Sequence, residues 1–301
     1  MNPFAQYFHG FNLIQGFGLA SFQKILSFFN SPEEAWWASP SQLQKAGLSS
    51  VLSFKIKQAQ KDIDLNKEIK KIKKENIQLS TIFDSTYPRL LKEIPDPPPL
   101  LYFKGQFLPK DNLALAVVGT RQASTYGKKA TLTLIPDIAQ EKLTIVSGLA
   151  RGIDTLAHQT ALKNNYRTIA VLGSGLNHVY PAENKKLAQS ICQQGALISE
   201  FPPDQKPQPY QFPQRNRLIS GLSLGVLIIE SPAKGGSLIT AQYALEYNRE
   251  VFALPGSLFE KNTAGNHKLI QDGAKLVTCR QDILEEIPYL KTLQKRKNMT
   301  V

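Results

Sequence analysis

Between residues 113 and 254 the chain repeats one pattern, in which a short aliphatic run is followed by a stretch rich in glycine or polar residues. The runs cover residues 113–118, 143–147, 168–172, 196–199, 226–230 and 251–254. Most of them are apolar throughout and do not alternate with polar residues, which is typical of strands covered on both faces of a parallel sheet. The stretches between them leave room for helices. This pattern predicts a doubly wound α/β fold.

The residues before this region have a different character. Apolar residues at helical spacing predict a small all-α domain over 1–78, followed by the α/β domain over 79–288 and a basic, disordered tail over 289–301. The turn at Gly16 and Gly18 can direct backbone N–H groups at a DNA phosphate or form a tight corner between helices. The lysine-rich stretch 55–75 predicts one amphipathic helix, whose basic face is solvated or contacts phosphate.

The sequence carries a large positive charge. Its 36 Lys and Arg against 24 Asp and Glu give a formal net charge of +12, which favours polyanionic partners such as nucleic acid, although it also serves solubility. Cys192 and Cys279 are the only cysteines, too few for a disulfide framework or a four-cysteine zinc site. The sequence lacks a membrane-spanning run and a signal peptide. We therefore expect a cytoplasmic protein with no membrane contact.

Glycine-rich turns follow the predicted strands. The turn residues are Gly119, Thr120 and Arg121 after the first run, Ser147, Gly148 and Arg151 after the second, and Gly236 and Ser237 after the fifth. In an open parallel sheet, ligands bind outside the carboxyl ends of the strands. Glycine lets the backbone approach a ligand, while helix-opening N–H groups and guanidinium groups bind phosphate. The turns together predict a phosphate-binding edge, although each alone is also explained as a turn device or a surface ion pair.

The segment 212–217 combines an aromatic ring with positive charge. Phe212, Arg215, Asn216 and Arg217 fall within six residues, after a proline-rich stretch over 202–209. Single-stranded nucleic acid is held by rings that stack on bases beside charges that bind the backbone. The segment favours ligand contact over core packing of Phe212.

Catalytic residues are not evident in the sequence. Asp154 and His158 stand at i, i+4 spacing, which helix capping and a shared helix face explain, and no further metal ligand joins them. The turn at Gly235-Gly236-Ser237 lacks the lysine that precedes the serine of a P-loop, and the first unit carries no dinucleotide-binding fingerprint. We expect a protein that is not an enzyme, with no catalytic residue, metal or cofactor.

Motifs within residues 80–285 follow one another in a recognisable order. They occupy 118–121, 147–154, 171–175, 180–181, 199–200, 212–217, 236–241, 255–256 and 266–274. This series resembles the DNA-processing protein A (DprA/Smf) family of bacteria. The resemblance implies an extended Rossmann-like, doubly wound, mostly parallel sheet, preceded by a small helix-hairpin-helix or SAM-like helical domain.

The resemblance also implies a function. Members bind single-stranded DNA and promote the loading of the RecA recombinase onto incoming DNA during natural transformation, so single-stranded DNA and RecA are the expected partners. Arg121 would hold the DNA backbone and Phe212 would stack on a base. Arg215, Asn216 and Arg217 would line the same pocket.

The chain departs from the family pattern at three places. Ala182 stands where some members carry a lysine, Gly235 replaces the first serine of a Ser-Gly-Ser turn, and the chain ends before the winged-helix-like domain of many members. We therefore expect no function of that last domain and a positive rim that is reduced or moved to Lys185 and Lys186.

A homodimer is a further expectation, through the C-terminal part of the α/β domain. Leu269, Ile270, Leu276 and Val277 surround His267 in the sequence. An edge strand in this region would be prone to pair with another chain. Packing of these residues into the core is the alternative.

The main alternative function is that of a nucleotide-processing hydrolase of the lysine-decarboxylase-like Rossmann group. Its Pro-Gly-Gly-x-Gly-Thr-x-x-Glu signature is partly matched by residues 231–237. The Gly-Thr pair and the following glutamate are not aligned, so the acid that such hydrolases use is missing. A general DNA-coating protein would account for the net charge but not for the ordered glycine turns.

Overall fold

The chain begins with six helices. A computed structural model describes residues 2–287, so the tail predicted over 289–301 lies outside the described residues. The helices are α1 (Ala5–Asn12), α2 (Leu19–Phe28), α3 (Pro32–Trp37), α4 (Pro40–Lys45), α5 (Ser50–Asp62) and α6 (Leu65–Lys74). The single helix predicted over 55–75 is wrong, because the chain leaves helical geometry at Ile63 and the Asp64 side chain caps α6 by accepting the Lys67 N–H.

A nine-stranded sheet organises the rest of the described chain. Its strands are β1 (Gln78–Thr81), β2 (Leu100–Gly105), β3 (Ala114–Val118), β4 (Thr144–Ser147), β5 (Thr168–Val171), β6 (Ala196–Ser199), β7 (Gly225–Ile228), β8 (Glu250–Ala253) and β9 (Lys275–Leu276). The order across the sheet is β1-β2-β6-β5-β4-β3-β7-β8-β9. Strands β3 to β9 run parallel, while β1 and β2 form an antiparallel edge next to β6. The predicted doubly wound, mostly parallel α/β fold is confirmed.

Helices cover both faces of the sheet. They are α7 (Arg89–Lys92), α8 (Thr125–Ala139), α9 (Ile153–Lys163), α10 (Lys185–Gln194), α11 (Gln211–Gly221), α12 (Gly236–Glu246), α13 (Ala264–Gln271) and α14 (Arg280–Leu284). The central strand β3 shows why its run is apolar throughout. Leu115 and Val117 pack in one hydrophobic cluster with residues of α8 and α9, whereas Ala116 and Val118 pack in another with residues of α11 and α12. Both faces are therefore buried.

The N-terminal helices pack against the antiparallel edge of the sheet. Phe8, Phe11 and Trp36 share one hydrophobic cluster with Leu100 and Tyr102 of β2. The Tyr102 hydroxyl also lies 2.8 Å from Nδ1 of His9, which is buried. The domain boundary predicted between 78 and 79 falls within β1. The helical part and the sheet share one hydrophobic cluster.

The strand order places a crevice at the carboxyl ends of the central strands β3 and β7. From β3 the chain winds outwards through β4, β5 and β6, and it then returns to the other side of β3 for β7, β8 and β9. The turns after β3 and β7 therefore diverge at the carboxyl ends of these two strands, where ligands bind in open α/β sheets. Among the residues described, no helix combines the length and the apolar character needed to cross a membrane.

Candidate functional site

A cavity of about 850 Å³ opens at this crevice. The predicted residues that line it are Gly119, Thr120, Arg121, Phe212, Arg215, Asn216, Gly236 and Ser237. Gly148 and Arg151 line a small adjoining crevice that also contacts Arg121 and Phe212. The fold thus gathers ten of the predicted residues from α11 and from segments at the strand ends that are far apart in sequence.

Phe212 forms the aromatic wall of the cavity. The guanidinium carbon of Arg121 lies 5.8 Å from the centroid of the Phe212 ring, and the Tyr180 ring lies 5.5 Å from it at 47°. Gly173 makes room for this ring, because a Cβ atom at that position would stand 2.8 Å from Cδ1 of Phe212. Arg121 and Tyr180 are exposed. The three side chains form a positively charged surface with two tilted rings, which can receive a base and its phosphate.

Arg215 is a structural clamp behind this surface. Its buried guanidinium donates to the carbonyl oxygens of Gly148, at 2.6 Å, and Val171, so it ties the ends of β4 and β5 together. Burial lowers the pKa of Arg215 to about 10, which still leaves it charged at neutral pH. Its charge adds to the positive potential of the cavity, while its Nη1 and Nε groups donate to Gly148, Val171 and Asn216.

Asp154 is the site residue whose role sequence reasoning missed. Its carboxylate is buried and accepts the N–H groups of Gly148 at 3.1 Å and Ala150 at 3.4 Å. Burial raises the pKa of Asp154 to about 6, while the positive charge of Arg215 opposes that rise. Because Asp154 occupies these N–H groups, they do not bind phosphate as the glycine turn suggested.

Two predicted site residues lie elsewhere. Ser147 is buried and its hydroxyl donates to the Val117 carbonyl at 2.6 Å. The expectation that Arg217 lines the same pocket is wrong. Arg217 pairs with Glu200 and Asp96 and lines a separate cavity of about 490 Å³ between the N-terminal helices and the sheet. Two residues along a helix rotate a side chain by about 200°, so Arg215 and Arg217 face opposite sides of α11.

The turn that begins α12 forms the opposite wall. Gly235 supplies no side-chain cap, which leaves the first turn of α12 open to an anion. The Asn216 amide donates to the Gly236 carbonyl at 3.2 Å, so α11 and α12 are fixed relative to each other. The Ser237 hydroxyl turns inward to Ser231, 2.9 Å away, and Ser237 therefore presents backbone to the cavity rather than its hydroxyl.

Positive charge dominates the cavity. Lys234 and Lys261, both exposed, join Arg121 and Arg215 in the lining, against the single carboxylate of Asp154 among the described lining residues. Sequence reasoning did not select Lys234 and Lys261 because a lone surface lysine has no distinctive pattern. Within residues 2–287, no group of three or more His, Cys, Asp or Glu side chains could hold a metal ion.

Arg151 already has a partner. Its guanidinium donates to both carboxylate oxygens of Glu183, at 2.6 and 2.9 Å, on the exposed surface. This pairing raises the pKa of Arg151 and lowers that of Glu183. A phosphate that bound Arg151 with the same geometry would have to displace Glu183.

Comparisons with known proteins show which proteins this chain resembles. The family model for DNA recombination-mediator protein A matches residues 78–288. The chain is 42% identical to DNA processing protein DprA of Bacillus subtilis over 84% of this chain and 89% of that protein. It is 44% identical to DNA processing protein DprA of Streptococcus pneumoniae over 76% of this chain and 79% of that protein.

Solved structures show the same similarity. The crystal structure of DNA processing protein A from Streptococcus pneumoniae superposes with a TM-score of 0.79 at 37% identity, over 93% of this chain and 96% of that one. A structure of DNA processing protein A from Helicobacter pylori, described for its single-stranded DNA binding mode, gives a TM-score of 0.61 at 34% identity, over 73% of this chain and 97% of that one.

The buried carboxyl of Asp154 makes stability depend on pH. Its pKa is raised from 3.8 to about 6 in the folded chain, so between about pH 4 and 6 the folded state binds more protons than the unfolded state and the free energy of unfolding falls as pH rises. We expect the stability of the wild type relative to Asp154→Asn to decrease by up to about 3 kcal/mol across this window. Urea unfolding at a series of pH values measures the difference, and a constant or rising difference would contradict this assignment.

Proposed function

The chain belongs to the DNA recombination-mediator protein A family, and we propose that it is a single-stranded-DNA-binding mediator that promotes RecA loading onto incoming DNA during natural transformation. The observation that carries the proposal is the cavity at the strand ends, where the Phe212 ring lies next to Arg121 and Tyr180. A ring surrounded by phosphate-binding groups suits an unpaired base and its backbone.

Preference for single strands follows from the same geometry. A base must leave its own stack before it can lie against Phe212, and this costs least when the strand is unpaired. The solved relative from Helicobacter pylori is described as binding single-stranded DNA. The open start of α12 and the lysines at 234 and 261 are available for the phosphates on either side of the base.

We propose a binding role and no turnover chemistry. The carboxylate of Asp154 holds two backbone N–H groups, and that of Glu230 accepts the N–H and hydroxyl of Ser124, so both support turns. A hydrolase would need a carboxylate free to act on a bound nucleotide. We also propose that the protein acts in the cytoplasm, because its proposed partners are RecA and incoming DNA.

We also propose a homodimer through the last strand of the described sheet. β9 pairs with β8 on one side and leaves its other edge open among the described residues, and Leu276 is 40% exposed there. Ile270 is half-buried nearby. The other two residues expected at the interface belong to the core, because Val277 is buried and Leu269 packs against a hydrophobic cluster.

The dimer is tested by changing Leu276. Leu276→Glu places a charge on the proposed interface, so light scattering at tens of micromolar should give a mass near that of one chain, against twice the 33.5 kDa chain mass for the wild type. Leu132→Glu, on the exposed face of α8, is the matched control and should remain dimeric. A monomeric wild type would remove the proposal.

DNA binding is tested by a titration with an oligothymidylate over a salt series, with blunt duplex as competitor. Arg121→Ala should weaken binding and reduce the slope of log affinity against log salt by about 0.7, because one phosphate contact is lost. Phe212→Ala should cost about 1 to 3 kcal/mol with little change in slope, since stacking releases no counterions. The double variant should lose less than the sum, because the two side chains are in contact.

Lys163→Ala is the control for charge. Lys163 ends α9, about 15 Å along the helix from the cavity end, and is exposed. It should bind DNA like the wild type. Equal affinity for blunt duplex, or identical slope changes in Arg121→Ala and Phe212→Ala, would contradict the proposed division of roles.

The mediator role requires a separate experiment. RecA filament formation is followed on single-stranded DNA that single-strand-binding protein has already coated, with and without this chain. The wild type should accelerate filament formation to a saturating level, and Arg121→Ala should not, because it binds the strand poorly. The mediator role fails if the wild type has no effect or if Arg121→Ala accelerates equally well despite its lost DNA binding.

A further inference from the structure

A turn beside the cavity exposes two large apolar side chains. Leu258 is 85% exposed and Phe259 is 95% exposed, more than the other large hydrophobic residues described as exposed. They lie in the segment 254–263, which connects β8 to α13. These two adjacent side chains contribute nothing to the core and are free to contact a ligand.

The turn holds a defined shape. The N–H of Glu260 donates to the Ser257 carbonyl at 3.2 Å, and the Thr263 hydroxyl donates to the same carbonyl at 2.7 Å. Gly256 closes the segment tightly, because a Cβ atom there would stand 2.3 Å from Cγ2 of Thr263. Leu258 and Phe259 therefore lie on a turn whose backbone is held in place, and we call residues 257–260 the braced turn.

The braced turn continues the wall of the DNA cavity. Lys261 and Asn262, which follow it directly, line the cavity. The Asn262 amide donates to the Gln122 carbonyl at 3.0 Å, which joins this segment to the turn that carries Arg121. A strand that leaves the cavity on this side passes the braced turn.

We propose that Phe259 is a second stacking platform, which binds a base of the same single strand that occupies the Phe212 cavity, with Leu258 packing against the adjoining sugar. This inference rests on the proposed function and adds a subsite to it. A single strand is held where rings alternate with positive charges along its path. Lys234 and Lys261 line the same cavity as Phe212, and Lys261 stands two residues after Phe259.

The continuity with the cavity favours DNA over a protein as the occupant. A second copy of the chain or another protein would also cover an apolar pair, but neither explains why the pair stands on a turn that shares a wall with Lys261 and Arg121. These two occupants become distinguishable outcomes of the experiment.

The experiment measures the affinity of oligothymidylates of increasing length. Short strands that fill only the Phe212 cavity should bind wild type and Phe259→Ala equally. Longer strands that reach the braced turn should bind Phe259→Ala about 5- to 150-fold more weakly, which corresponds to one lost stack. Phe28→Ala, which removes a half-exposed ring from α2, is the matched control and should follow the wild type at every length.

Two further variants separate stacking from general apolar contact. Phe259→Trp should restore affinity for long strands, and its fluorescence should be quenched by them more than that of a Phe28→Trp variant, against the common background of Trp36 and Trp37. Phe259→Leu keeps an apolar side chain without a planar ring and should not restore affinity. Thermal unfolding of each variant checks that the fold is retained.

The outcomes are distinct. A Phe259→Ala protein that matches the wild type at all lengths overturns the subsite, and so does rescue by leucine that equals rescue by tryptophan. If Phe259→Ala differs from the wild type in its mass by light scattering without DNA, the subsite is overturned in favour of a protein contact. Failure of the wild type itself to bind any oligothymidylate would instead refute the proposed function.

Discussion

Two buried charged side chains, those of Asp154 and Arg215, hold Gly148 and fix the shape of the site. Arg215 binds the carbonyl of this glycine and Asp154 binds its N–H, so one residue is held from both sides. A Cβ atom there would lie 2.7 Å from Arg215 and 2.8 Å from Asp154. Gly148 and both side chains are buried, so losing either hydrogen bond would leave a buried polar group without a partner. The turns after β4 and β5, and the seat of Phe212 on Gly173, all depend on this arrangement.

The parallel core of the fold could be predicted because burial on two faces leaves a direct mark on composition. The six aliphatic runs became β3 to β8 with shifts of two residues or fewer at their ends. The antiparallel edge was not predicted. β1 and β2 lie among prolines and a short helix, and Ser80 and Thr81 interrupt the apolar pattern. β2 joins the sheet by pairing with β6, which is almost a hundred residues away along the chain, and no local pattern records such a partner.

The site was predicted at the level of turns and missed at the level of individual partners. Which turns meet follows from strand order, so Arg121, Phe212 and Gly236 could be grouped from sequence. Whether a charge faces a ligand or a carboxylate depends on side-chain direction and long-range pairing. Arg217 faces Glu200 and Asp96 for this reason, and Asp154 was read as a helix residue although its carboxylate organises the turn before it.

Helix α11 lies between the two cavities described above, and this position has a further consequence. Phe212 and Asn216 face the cavity at the strand ends, while Gln211, Gln214 and Arg217 face the cavity beneath the N-terminal helices. A helix of three turns moves as a stiff rod. A displacement of the N-terminal helices that tilted α11 would therefore widen one cavity and narrow the other. The helical part that precedes the sheet is therefore linked to Phe212 through α11.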